Sequence, residues 1–385
     1  MIPYARQDII EDDRLAVERI LKSDWLTQGP TVPSFESKVA SYCGVRDAVA
    51  TNSATSALHV ACLALGLGPG DWLWTSPNSF VASSNCALYC GAEVDFVDID
   101  IETNNISIEK LEKKLRQAKE TNTLPKILVP VHMCGFSCDM ASIHELSKEY
   151  GFKIIEDASH CIGAKYQDNP VGSCQFSDIA VFSFHPVKII TTGEGGVATT
   201  NCEELDRMMK IYRTHGITRN AELMEGKKEG DWFYEQVSLG FNYRITDIQA
   251  SLGISQLTRL EKYVKKRNEL AEIYDKSLSD LPITLPPRSD SVFSSFHLYI
   301  IKINDLKKFS RKDFFDYLRS NNIGANVHYI PIHLHPFYKS KGFNPGDFPS
   351  SEESYEKSVS IPIYQDLSKK DQDYIIEKIR NYFLN

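Results

Sequence analysis

The sequence predicts an α/β fold built on a largely parallel sheet, followed by a smaller α+β domain. Three observations carry this. Strand-like apolar runs alternate with helical stretches up to about residue 245. Several of those runs are apolar without alternation, as in strands covered on both faces. Beyond residue 245 the texture changes to a long helical pattern, a Pro-rich loop and shorter elements of both kinds.

Taken in order, residues 12–23 read as a short amphipathic helix, and "SDWLTQGP" (23–30) as a loop ended by Gly-Pro. "DAVATNS" (47–53) reads as a buried strand. Thr51, Asn52 and Ser53 then offer caps for an apolar helix over Ala57–Leu67, which Gly66–Gly70 ends. Further strand-like runs are 71–80, 92–100, 126–133, 152–159, 178–184 and 195–200, with a helix at 138–150 stopping at Gly151. A helical pattern over 246–278 leads to "LPITLPPRSDS". "FHLYIIKI" (296–303), a helix over 312–321, "GANVHYIP" (324–331) and a terminal helix over 368–383 follow. The expected domains are 1–255, large and sheet-based, and 256–385, small and α+β, in line with about 150 residues per domain.

Of the 385 residues, 42% are hydrophobic and 24% charged, an ordinary globular balance with a net charge of -8. No Lys/Arg run argues for nucleic acid or an anionic membrane. No stretch approaches a membrane span, and "MIPYARQDIIEDD" lacks the parts of a signal peptide. The nine cysteines include no C-x-x-C pair. Reduced thiols in a cytoplasmic protein are expected.

The chemistry gathers around "VFSFHPVKIITTGEGG" (181–196). Alone, Lys188 reads as a surface lysine at a strand end. A carbonyl cofactor such as pyridoxal 5'-phosphate needs a lysine for a Schiff base, made nucleophilic by burial. It also needs an acid at its pyridine nitrogen. Asp157 ends the apolar run "FKIIED", although alone it reads equally as a cap or a solvated strand end. "TNSATSAL" puts Asn52–Thr55 at a strand-to-helix turn, where free N–H groups favour a phosphate, or simply cap the helix. Ser183, five residues before Lys188, offers a hydroxyl to the same anion, and Gly195 and Gly196 allow close backbone approach. "GLGPGD" ends a helix and precedes a strand, so it is a turn, not a nucleotide loop. "HYIPIHLHP" has no helix-spaced histidine pair and no carboxylate, so no metal site is expected.

"EDASHCIGAKY", the "SFHPVK" lysine segment, "GEGG" and "GFNYRITDIQASLG" together resemble the DegT-type sugar aminotransferases. The resemblance covers nearly the whole chain and implies the aspartate aminotransferase fold (fold type I of the pyridoxal phosphate enzymes). "SDWLTQGP", "NSATSALH" and "GANVHYIPI" are most similar to its pseudaminic-acid branch. That branch moves the amino group of L-glutamate to C4 of a UDP-linked 4-keto-6-deoxy-L-altrose N-acetyl sugar, with pyridoxamine phosphate as the intermediate carrier. The resemblance implies Lys188 as the Schiff-base lysine, Asp157 at the pyridine nitrogen and Phe80 stacked on the ring. It places Ala54, Thr55 and Ser183 around the phosphate, and His160 at the phenolic oxygen, where most of the wider family has glutamine. Asn242 reaches the phosphate from a partner subunit, so a homodimer with shared active sites is implied. Tyr4, Trp25, Leu26, Thr27, Asn326, Val327, His328 and Tyr329 stand where that branch contacts the nucleotide sugar.

The rivals are an aminotransferase for another keto sugar (a bacillosamine, perosamine or dTDP-amino sugar route), a dehydratase and a sugar sensor. The dehydratase subgroup replaces the Schiff-base lysine by histidine, whereas Lys188 is present. A sensor is expected to lose some of Lys188, Asp157, Ser183 and Asn242, and all four are present.

Overall fold

The computed structural model describes residues 1–384. Seven strands make the central sheet: β1 (Asp47–Thr51), β2 (Trp72–Thr75), β3 (Glu93–Phe96), β4 (Ile127–Val129), β5 (Lys153–Asp157), β6 (Ile179–Ser183) and β7 (Gly196–Thr200). Their order is β1–β7–β6–β5–β4–β2–β3. Neighbours are parallel except at β7, which runs antiparallel to both β1 and β6.

The helices of this part are α1 (Glu11–Leu21), α2 (Thr31–Cys43), α3 (Ala54–Ala64), α4 (Ala82–Tyr89), α5 (Ile108–Thr121), α6 (Met140–Tyr150) and α7 (Glu203–Arg213). They cover both faces of the sheet, which is why its strands are unbroken apolar runs. Along β6, Val181 enters the core with Leu58 of α3 and Ile155. The next residue, Phe182, enters the opposite core with Phe35 and Val39 of α2.

The rest of the chain contributes α8 (Asp247–Leu257), α9 (Leu260–Leu278), α10 (Arg311–Ser320), α11 (Pro349–Lys357) and α12 (Lys369–Leu384). Between them lies a small antiparallel sheet, in the order β8 (Ile283–Thr284), β9 (Tyr299–Ile303), β10 (Ser358–Ile361). Helix α9 straddles two cores. Leu260, Tyr263 and Val264 pack with Phe35, while Leu270, Tyr274 and Leu278 pack with Tyr299 and Ile301. Ile332, Tyr338 and Phe348 return to the core beneath the large sheet.

Several elements differ from the sequence pattern. The helical run over 246–278 is broken between α8 and α9, where Gln256 and Arg259 both bond the buried Asp13 of α1, at 2.9 and 2.7 Å. Helix α3 starts at Ala54, three residues before the apolar pattern, because Ser53 caps it there. The strands in the runs at 71–80 and 126–133 end at Thr75 and Val129, ahead of Pro77 and Pro130, and beyond Pro130 only an isolated bridge, Val131 to Asp157, continues the pairing. Proline has no N–H for a ladder. "GANVHYIP" forms no strand and makes a single bridge, Asn326 to Ser360. Helices α2, α4, α5 and α7 are not singled out by periodicity. No helix among the described residues is long and apolar enough to cross a membrane.

Candidate active site

A cavity of about 920 Å³ opens at the carboxyl ends of β1, β5 and β6. Helix N-termini and strand ends meet there, the usual ligand crevice of an open α/β sheet. Register puts the key ends together. Asp157, the last residue of β5, pairs with Val181 of β6. Gly196, the first residue of β7, pairs with both Ser183 and Thr51.

Lys188 lies on the cavity wall and forms no salt bridge among the described residues. Burial lowers its pKa to about 8, and the negative charge of Asp157 opposes that shift. The Asp157 carboxylate accepts from Ser83 Oγ at 2.6 Å and from the Ser159 N–H at 3.1 Å. Ser83 is in turn 2.7 Å from Ser79. A buried acid is thus aimed by hydroxyl and amide donors while its cationic neighbour stays unpaired.

The turn between β1 and α3 is built as a cradle. Ser53 Oγ accepts the Ser56 N–H at 3.1 Å. The amides of Ala54 and Thr55 open the helix, where N–H groups have no intrahelical acceptor. Gly196 keeps this turn clear. A Cβ there would lie 2.5 Å from the Ala54 nitrogen and 2.6 Å from the Ser53 carbonyl carbon. Ser183 is on the same wall.

His160 is a neutral relay. Its Nδ1 accepts the Cys134 N–H at 3.3 Å, so its proton sits on Nε2, 3.3 Å from the Tyr329 hydroxyl. Desolvation first, then the charges of Lys188 and His328, hold its pKa well below the ordinary histidine value. Desolvation, and then the charge of Lys188, brings His328 down to about 3. Burial raises the Tyr329 hydroxyl, which therefore stays protonated. The Phe80 ring is 59% exposed, its centroid 6.2 Å from Tyr329. Tyr4, Asn326 and Val327 complete this side, and Ser360 holds His328 Nδ1 at 2.7 Å.

Twelve of the expected residues therefore line one cavity: Tyr4, Ala54, Thr55, Phe80, Asp157, His160, Ser183, Lys188, Asn326, Val327, His328 and Tyr329. Trp25, Leu26, Thr27 and Asn242 are outside this wall, and all four are exposed. His297 was missed by the sequence reading. Its ring is 4.4 Å from that of His160 and its Nδ1 is buried without a partner. Arg267 of α9, fully buried, fixes it by bonding the carbonyls of Phe296 and His297 at 3.0 and 3.3 Å. Only tertiary contact brings His297 here, and "SSFHLY" carries no local signal of it. His333 instead bonds Glu352 at 2.8 Å, away from the cavity.

An unpaired lysine, a buried aspartate and a glycine-cleared helix N-terminus at one sheet edge fit a pyridoxal phosphate enzyme. The fold and this site together define a pyridoxal phosphate-dependent sugar aminotransferase. The chain belongs to the DegT/DnrJ/EryC1/StrS aminotransferase family, whose model matches residues 7–380. It is 38% identical to the UDP-4-amino-4,6-dideoxy-N-acetyl-beta-L-altrosamine transaminase of Campylobacter jejuni, over 97% of this chain and 96% of that one. It is 36% identical to the spore coat polysaccharide biosynthesis protein SpsC of Bacillus subtilis, over 99% and 96%. Among solved structures, Helicobacter pylori PseC, an aminotransferase involved in the biosynthesis of pseudoaminic acid, superposes with a TM-score of 0.90 at 33% identity, covering 100% and 99%. Similar solved structures include PLP and PMP forms.

Proposed function

We propose that the enzyme transfers the amino group of L-glutamate to C4 of a UDP-linked 4-keto-6-deoxy-N-acetyl-L-altrose-type sugar, a step in pseudaminic acid biosynthesis. The observation that carries the reaction type is Lys188 facing Asp157 in a cavity whose other wall is Asn326–Tyr329. The sugar is supported by the named transaminase relative.

When bound, pyridoxal phosphate supplies the electron sink that lets an amino group pass between carbon atoms. Ala54, Thr55 and Ser183 hold its phosphate, and Asp157 holds the proton on its pyridine nitrogen. Phe80 would pack against its ring, and the Nε2–H of His160 and the Tyr329 hydroxyl would be the donors available to its phenolic oxygen. Lys188 Nζ, neutral in a substantial fraction near pH 8, takes the Cα proton of the amino donor and passes it on. The sugar half runs the same proton transfers in reverse. Asn242 serves the site of a second copy. The exposed Trp232, Tyr234 and Leu239, at 72%, 53% and 78%, support a covered dimer face near it. In this reading the boundary of 1–255 and 256–385 falls at α8–α9, and the protein works in the cytoplasm.

The test is an assay of purified protein with L-glutamate and a panel of UDP-, dTDP- and GDP-linked 4-keto-6-deoxy sugars, locating the product amine by NMR. C4 amination of the UDP-L-altro sugar is expected. Amination at C3, or preference for a dTDP sugar, rejects this substrate and leaves the aminotransferase class standing.

A further inference from the structure

Trp25, Leu26 and Thr27 stand in an exposed loop whose backbone is nevertheless held tightly from below. The anchor is Asp247, the first residue of α8 and fully buried. One carboxylate oxygen accepts the Gly29 N–H and the other the Thr31 N–H, each at 2.8 Å. The Asp247 N–H donates to the Leu26 carbonyl at 3.0 Å, and Thr27 bridges Thr246. The carboxylate has no cation within salt-bridge distance among the described residues. Its charge is met by backbone donors and by the N-termini of α8 and α2, where a negative group is favoured. Gly29 makes the fit possible: a Cβ there would lie 2.5 Å from Trp25 Cβ and 3.0 Å from Asp247 Oδ1.

The same helix end also grips the lysine loop. The side chain of Gln249, which closes the Thr246 cap, donates to the Glu194 carbonyl at 2.8 Å. Glu194 follows Lys188 in the turn before β7, and both Gln249 and Glu194 line the cavity. One helix N-terminus therefore ties the loop at 25–29 to the segment that carries the reactive lysine.

We propose that Asp247 is a positioning residue for nucleotide-sugar recognition: it holds the backbone of 25–29 in place so that Trp25, Leu26 and Thr27 meet the sugar already ordered. This rests on the reading of the enzyme as a nucleotide-sugar aminotransferase. Fixed backbone beneath free side chains is how a recognition loop avoids ordering costs on binding. Asp247→Asn keeps the shape but turns one acceptor into a donor facing a backbone N–H. The loop then loses a strut while α8 retains its Thr246 cap.

The test compares wild type, Asp247→Asn and Gly29→Ala, which disturbs the same junction from the other side should the first variant fold poorly. The two half-reactions are followed separately by cofactor absorbance, with L-glutamate and then with the keto nucleotide sugar, and amide hydrogen exchange is measured over 24–31. Both variants are expected to raise KM for the sugar by roughly tenfold or more, the scale of a few side chains that must be ordered on binding. The glutamate half should change far less, and exchange should rise over 24–31 with the central strands unchanged. Faster exchange with an unchanged sugar KM overturns the proposal, as does an equal loss in both halves. A wild type that completes the glutamate half but aminates no nucleotide sugar overturns the underlying reading and this inference with it.

Discussion

Replacing Gly196 by alanine tests the cradle most directly. The added Cβ would lie 2.5 Å from the Ala54 nitrogen and 2.6 Å from the Ala54 Cα and the Ser53 carbonyl carbon. All three are backbone atoms, so no rotamer change relieves the contact. Moving from 2.5 Å to an ordinary 3.4 Å demands a displacement of 0.9 Å, divided between β7 and the first turn of α3. Pairing of Gly196 with both Thr51 and Ser183 holds β7 on each side, so the α3 turn takes most of it. Overpacking of this kind costs about 1–3 kcal/mol of stability. A shift of about 1 Å in a positioning group is enough for a hundredfold loss of rate. The assay is titration of cofactor-free protein with pyridoxal phosphate by absorbance, beside thermal unfolding. Gly196→Ala should bind the cofactor at least tenfold more weakly than wild type and melt lower, the loss in affinity exceeding the loss in stability. The control is Gly193→Ala, whose Cβ meets nothing within 4 Å. Its φ of +85° adds strain of about 1 kcal/mol without touching the cradle. Cofactor affinity for Gly196→Ala equal to that of Gly193→Ala would refute the reasoning.

Four further predictions concern the site and the residues that support it. Lys188→Arg should abolish turnover while leaving the melting temperature within a few degrees; substantial turnover would remove Lys188 from the chemistry. Burial brings the Lys188 pKa down to about 8, against an ordinary 10.5, so the rate of cofactor recombination with cofactor-free protein should climb with pH, reach half its maximum near 8 and level off above it. Asp157 raises that pKa, so Asp157→Asn should move the plateau to lower pH, and an upward shift would contradict the assigned coupling. The same lowering predicts that cofactor-free protein gains stability as pH rises from about 8 to 10.5, because only the unfolded chain still holds the proton there. Finally, Arg267→Met strands the carbonyls of Phe296, His297 and Ile363, so chemical denaturation should show a loss of about 3 kcal/mol; a neutral result would show that water replaces the guanidinium.

The reactive end of the sheet was legible because its signals are local. Lys188, Asp157 and Ser183 each sit at or just past an apolar strand, and Gly196 opens the next one. The "TNS" turn announced a helix start, though the apolar pattern misplaced it because Ala54 and Thr55 are not strongly hydrophobic. What escaped depends on distant partners. Asp247 reads as an ordinary first-turn acid, and only the fold brings Gly29 and Thr31 to it. His297 precedes a strand in the small sheet and is held at the cavity by Arg267, a buried residue of α9 that the sequence pattern does not single out. The break after α8 escaped for the same reason, since Asp13 meets Gln256 and Arg259 only in the folded chain.

The reversed direction of β7 has a consequence for how Lys188 moves. Ser183 and Gly196 are paired neighbours, so the chain between them leaves and re-enters the sheet at a single point. Phe184 closes this excursion at its base, its N–H on the Gly195 carbonyl at 2.9 Å and its own carbonyl taking the Thr192 N–H at 3.0 Å. The lysine rides on a noose with a fastened neck. In the proposed reaction the Lys188 side chain can therefore move while every ladder bond of the sheet stays made.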